Sequence, residues 1–140
     1  MTGRLILVGC GGRKLDHPDQ PARLYVGSYF TACLDTALAV RNSAVNDRVM
    51  ILSAKHGLLN LWAPVIEPYD LRLGQPGAIS VGTLHSQAVA RNVYLMPVLA
   101  LCGGAYATLA RQVWENVETP LAGLGIGRQV ARLKEMRDEV

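Results

Sequence analysis

The sequence predicts an α/β fold: one three-layer domain over residues 1–140, with a four-stranded parallel sheet covered by helices on both faces. Three observations lead there. Short apolar runs recur along the chain and suit strands buried on both faces. They alternate with longer segments whose apolar residues are spaced by three and four, the period of a helix. Glycines and cations gather just after the apolar runs, whereas ordinary turns serve their other ends. Strand–helix alternation of this kind argues for a parallel sheet joined by helical crossovers.

Residues 4–9 (Arg-Leu-Ile-Leu-Val-Gly) form the first strand, and residues 11–27, rich in Gly, Pro, Asp and Arg, form a loop. Ser28 is an N-cap for a helix over 29–42, where Phe30, Cys33, Leu34, Ala37, Leu38 and Arg41 repeat at helical spacing. Asn46-Asp47 makes a turn, and residues 48–54 (Arg-Val-Met-Ile-Leu-Ser-Ala) form the second strand. A second long loop, residues 55–79, holds three prolines and three glycines. Ser80 caps a helix running to about Met96, with Pro97 just past its end. Residues 98–102 are the third strand, closed by Gly103-Gly104, and residues 105–116 are helical. Residues 117–122 are a weaker fourth strand, placed at an edge because Pro120 has no N–H to donate. Gly123-Leu-Gly-Ile-Gly127 leads into a last amphipathic helix through Arg132 and Met136.

Composition narrows the class. With 140 residues and half of them apolar, the chain can bury a substantial core, which excludes disorder. No heptad pattern is sustained, and Arg, Asn, Gly or Pro interrupts every apolar run well short of the roughly 20 residues of a membrane span. The N-terminus lacks the long apolar stretch and cleavage site of a secretory signal. Three cysteines cannot all pair, and Cys33 and Cys102 fall in apolar segments, so a cytoplasmic protein with reduced core thiols is expected. No Cys-x-x-Cys or His-x-x-x-His is present, and neither a metal nor another cofactor is expected. A net charge of +3 permits contact with phosphates but lacks the dense basic stripe of a duplex binder.

In an open parallel sheet, ligands bind at the carboxyl ends of the strands. The chain collects its unusual residues there: Cys10, Gly11, Gly12, Arg13 and Lys14 after the first strand, and Ser53, Lys55 and His56 at the end of the second. Gly103 follows the third strand, and Gly125 and Gly127 follow the fourth. Gly11-Gly12 lets backbone approach a ligand and presents N–H groups to an anion, with Arg13 and Lys14 adding charge; the Walker spacing is absent. Glu67-Pro-Tyr-Asp70 places two carboxylates and an aromatic ring in a proline-stiffened segment. Such a carboxylate can act as a general base towards water or stabilise an oxocarbenium ion. Their alternative role is to cap or pair with Arg72 at the surface. Tyr69 and Tyr25 are candidates to stack on a base. Gly123-x-Gly-x-Gly127 before a helix suits a phosphate, but no later acidic strand end supports a dinucleotide site. Cys10 reads as a packing residue rather than a nucleophile, His85 as a helix-surface residue and Trp114 as core. Trp62 either contacts a ligand or packs its loop down, and the C-terminal helix, with mixed charges, reads as solvated.

Together the Gly-Cys-Gly-Gly-Arg-Lys strand end, Ala22-Arg-Leu-Tyr25, the block from Ile51 to Leu59 and Glu67-Pro-Tyr-Asp70 resemble an uncharacterised family of phages, bacteria and archaea. Its signature is Ser-Ala-Lys-aromatic-Gly-Leu-Leu; here His56 stands at the aromatic position. Pro120-Leu-Ala-Gly-Leu-Gly-Ile-Gly127 fits its C-terminal motif. That family is distantly similar to the uracil-DNA glycosylase superfamily and to an accessory domain of archaeal tRNA-guanine-modifying enzymes. The resemblance implies a glycosylase-like or Rossmann-like sheet and a base-excising or base-binding role. The glycosylases' own catalytic loops do not align with this chain, so no residue role is carried over from them.

The expected activity is therefore N-glycosidic hydrolysis of a modified base, in a nucleotide or in single-stranded or base-flipped DNA. Asp70 or Glu67 would activate water, Tyr69 and Tyr25 would stack on the base, and Lys55, His56 and Arg13 would bind phosphate or protonate the departing base. The alternative is a non-catalytic nucleotide-binding protein, a phage-encoded sponge or a sensor, using the same loops. Phosphate-ester hydrolysis lacks an evident cluster of metal-binding carboxylates: Glu67 and Asp70 would need Asp16 or Asp19.

Overall fold

The computed structural model describes residues 3–140, and its strands are the apolar runs. β1 (Leu5–Gly9), β2 (Arg48–Ser53) and β4 (Val98–Leu101) are almost wholly buried, and they lie parallel to one another. Successive side chains point to opposite faces of the sheet. Leu5, Leu7, Met50, Leu52, Val98 and Ala100 pack on one side with Leu84, Ala88, Val113 and Trp114. Ile6, Val8, Val49, Ile51, Leu99 and Leu101 pack on the other with Phe30, Cys33, Ala37 and Leu133. Helices α3 (Val81–Ala90) and α4 (Gly104–Val113) cover the first face, while α2 (Ser28–Val40) and α5 (Ile126–Asp138) cover the second.

The sheet itself departs from the expected four parallel strands. It has five, in the order β3-β2-β1-β4-β5, where β5 is Val117–Glu118 and β3 (Gly57–Asn60) runs antiparallel to β2. Local turn chemistry is the reason. Ser53 Oγ accepts hydrogen bonds from Lys55 N at 3.2 Å and His56 N at 3.0 Å, and Gly57 at φ +73° turns the chain back. Glycine adopts that left-handed conformation without strain, and a Cβ there would overlap the Gln87 amide. The same amide covers the outer edge of β3. Leu58 N donates to Gln87 Oε1 at 2.8 Å, and Gln87 Nε2 donates to the His56 carbonyl at 2.9 Å.

Other boundaries moved for equally local reasons. α2 begins on Gly27, with Ser28 as its first residue rather than its cap. Ser80 caps α3 as expected, accepting from Thr83 N at 3.1 Å, but the helix stops at Ala90 because Asn92 turns left-handed at φ +60°. The loop before α2 contains a short helix, α1 (Pro21–Leu24). β5 is only Val117–Glu118, ending before Pro120, and it lies at the sheet edge.

β2 lies on one side of β1 and β4 on the other, so the winding direction reverses between β1 and β4. A crevice forms at such a reversal, outside the carboxyl ends of the strands. Here those ends are Gly9-Cys10 and Leu101-Cys102. Backbone and side chain meet closely between them: a Cβ on Gly9 would come within 2.7 Å of Cys102 Cβ. No described helix is long and apolar enough to cross a membrane.

Candidate active site at the carboxyl edge of the sheet

The two long loops join above this edge. Leu15 N donates to Leu24 O at 2.9 Å and Val26 N to Arg13 O at 3.1 Å, folding residues 11–27 back on themselves. Asp19 and Ile66 then exchange backbone hydrogen bonds of 3.3 and 3.0 Å, and Ala22 N donates to Leu61 O at 2.9 Å. The segment carrying Glu67, Tyr69 and Asp70 is thereby tied to the loop that follows β1.

Tyr69 fixes that segment to the sheet. Its hydroxyl lies 2.6 Å from Ser53 Oγ, 2.6 Å from the Tyr25 hydroxyl and 3.8 Å from Cys10 Sγ. Both lone pairs of Ser53 Oγ are occupied by the N–H groups of Lys55 and His56, so its hydrogen is directed at the Tyr69 oxygen. Tyr69 in turn donates onward to Tyr25 or Cys10. Cys10 Sγ also shares a 3.0 Å hydrogen bond with the hydroxyl of Tyr106, in the first turn of α4. One hydroxyl–thiol cluster therefore links the ends of β1 and β2, the start of α4 and both loops.

Low polarity around the cluster favours the protonated hydroxyls. Burial pushes Tyr25 up to about 12, against the lowering effect of its hydrogen bonds to Ser53 and Tyr69. Tyr69 and Tyr106 are also raised, by burial first and by the neighbouring Cys10 thiol second. His56, edge-on to the Tyr69 ring with centroids 5.4 Å apart, is held below the usual histidine value by burial and by the Lys55 ammonium.

Cations surround the same ring. Lys14 Nζ sits 4.4 Å from the Tyr69 centroid and 5.6 Å from that of Tyr25, and it donates to the carbonyls of Gly11 (3.4 Å) and Gly12 (3.2 Å). These contacts make Lys14 a latch that clips the Gly11-Gly12 turn onto the tyrosines. The Lys55 ammonium is 5.7 Å from the Tyr69 centroid, and both Lys55 and Arg13 are exposed.

The structure brings together Cys10, Gly11, Gly12, Lys14, Tyr25, Ser53, Lys55, His56 and Tyr69. It also reassigns several of them. Tyr25 is only 2% exposed, so its ring is not available to stack on a base. Ser53 and Cys10 are buried with their polar atoms engaged, and they form scaffold rather than ligand-contacting surface. Glu67 and Asp70 are exposed, and neither carboxylate has an ion pair or hydrogen bond among the described residues; the alternative role, capping or pairing with Arg72, is not taken up. Gly103 caps α4 on the other side of the β1–β4 reversal. Gly125 and Gly127 open α5, where Gln129 joins Tyr29 of α2, and no hydrogen bond ties them to the tyrosine cluster. At Gly12, Gly103, Gly104, Gly125 and Gly127 an added Cβ would meet nothing within 4 Å, and none of these residues needs a positive φ.

Tyr106 is the member that sequence reasoning missed. Its signal was present: it stands in the first helical turn after a strand-ending Gly103-Gly104, which aims a side chain back over the sheet edge. Among the described residues no group of three or more His, Cys, Asp or Glu could share a metal ion.

A family model matches residues 5–135, nearly the whole chain. The chain belongs to a family of unknown function, DUF6884. Comparison with curated proteins and with solved structures finds no match. The family match spans β1 through most of α5, so both loops and every member of the tyrosine cluster lie inside it.

Proposed function

We propose that the protein binds a nucleotide, free or within a single strand, at the carboxyl edge of β1, β2 and β4, and hydrolyses its N-glycosidic bond. The observation that carries this reading is the anchoring of the Tyr69 hydroxyl to Ser53 and Tyr25, which ties the segment bearing exposed Asp70 to the strand end that precedes Lys55 and His56. In this reading the Asp70 carboxylate, the Arg13 and Lys55 cations and the His56 imidazole act from that one edge. The open glycines at 12 and 103–104 leave room for a ligand to approach backbone there. The motif-level likeness to uracil-DNA glycosylases belongs to the same proposal.

In the proposed step, Arg13 and Lys55 meet the phosphate. The C1′–N bond breaks and its electron pair leaves with the base. Water oxygen bonds to C1′, and the water proton passes to Asp70 or Glu67. His56, neutral at pH 7 because its value is lowered, stabilises the departing nitrogen through its N–H hydrogen bond. The protein is therefore expected to release free base from a panel of modified nucleotides and oligonucleotides. Asp70→Asn is expected to lower the rate by about 100-fold, within the range of general-base contributions. Release that survives in both Asp70→Asn and Glu67→Gln would refute hydrolysis.

One observation favours a second reading, sequestration without turnover. Both carboxylates are exposed, and neither is oriented by a hydrogen bond or ion pair among the described residues. Recovery of intact ligand after denaturing a complex with wild-type protein would select that reading.

A further inference from the structure

A groove of about 540 Å³ lies between the last turns of α2, the start of β2 and the turn that follows β3. Leu38 and Val49 form part of its apolar wall, and Arg41, Asn60 and Trp62 also line it. Its volume falls within the roughly 300–1,000 Å³ of ordinary ligand sites. Trp62 is 59% exposed. Its backbone is held by a 3.2 Å hydrogen bond from Gln20 to its carbonyl, and the Arg23 guanidinium lies 5.6 Å from its ring centroid. A loop tryptophan fixed in place yet left this open is not filling core.

Among the described lining residues Arg41 is the one charged group, and no carboxylate is present. An aliphatic partner would leave Arg41 and Asn60 without polar contacts, and an acidic peptide would leave the indole face uncovered. An aromatic platform beside a cation and an amide matches a base next to a phosphate. Arg23 adds a second positive charge beside the same ring.

We propose that this groove binds an unpaired base and its adjoining phosphate in single-stranded nucleic acid. The base stacks on Trp62, its hydrogen-bonding edge meets Asn60, and its phosphate meets Arg41. None of these residues belongs to the tyrosine cluster, so the site stands whether or not the hydrolytic reading does.

The chain has two tryptophans, and Trp114 is only 2% exposed, so quenching of the intrinsic fluorescence reports on Trp62. Titration with a short oligothymidylate is expected to quench that emission, with affinity falling as salt rises. Fluorescence anisotropy of a labelled oligothymidylate is expected to show binding weakened about tenfold in Trp62→Leu and several-fold in Arg41→Gln, as for lost stacking and phosphate contacts. Both positions are exposed, so circular dichroism of the variants should match the wild type. Absence of quenching at low salt would overturn the proposal. So would wild-type affinity in either variant, or equal quenching by polyglutamate. Base release from a free mononucleotide should be unchanged in Trp62→Leu, which separates failure of this site from failure of the hydrolytic one.

Discussion

Tyr69 holds its segment through a single oxygen with two partners at 2.6 Å. In Tyr69→Phe the Ser53 hydrogen loses its acceptor and the Tyr25 hydroxyl its neighbour, in a region shielded from water. The expected loss is about 1–3 kcal/mol of stability, read from urea unfolding at neutral pH. Buried acids give a second residue-scale prediction. Burial raises Cys33 from 9.0 to about 11, Cys102 from 9.0 to about 12 and Tyr25 from 10.0 to about 12. Below about pH 8 both folded and unfolded chains keep these protons, so stability there is unaffected. Above that, the unfolded chain releases them first and the folded state loses ground as pH rises towards 12. The urea midpoint should therefore fall between about pH 8 and about pH 10.5, and an unchanged midpoint would count against these shifts.

At the scale of elements, the glycines divide into two kinds. Gly57 ends the Ser53 turn at φ +73° against the Gln87 amide, and Gly57→Ala should destabilise the protein by about 2 kcal/mol or more, since strain adds to overlap. Gly12 and Gly103 meet no atom within 4 Å of an added Cβ and have ordinary backbone angles. Alanine at either should leave the thermal midpoint essentially unchanged while weakening nucleotide binding, and calorimetry of unfolding and of binding separates the two effects. Equal loss of stability in all three variants would mean that the open glycines serve only the fold.

Across the whole molecule, the parts legible in the sequence were those written in local patterns. Ile6, Val8, Ile51 and Leu101 sit in unbroken apolar runs, and each is fully buried in the sheet. Trp114 is core, donating its indole N–H to Val93 O at 3.1 Å, and His85 is exposed on α3 against Tyr94. Strand β3 was not legible as a strand. Gly57-Leu-Leu-Asn60 is short, and its direction depends on a serine hydroxyl accepting from the backbone two and three residues on. The site was legible in position but not in role. Strand-end logic gathered Cys10, Ser53, Lys55 and His56, yet whether a tyrosine faces solvent or another hydroxyl depends on how two distant loops meet. Tyr25 turned inward because Lys14 and Tyr69 closed over it.

The sheet ends at β3 not on a further strand but on the carboxamide of Gln87, which donates once and accepts once as a peptide group does. A neighbouring chain seeking to extend the sheet there must first displace a side chain already satisfying both backbone groups. Protection of that stretch of edge from strand addition rests on one rotatable amide, and the same amide steadies the backbone of His56.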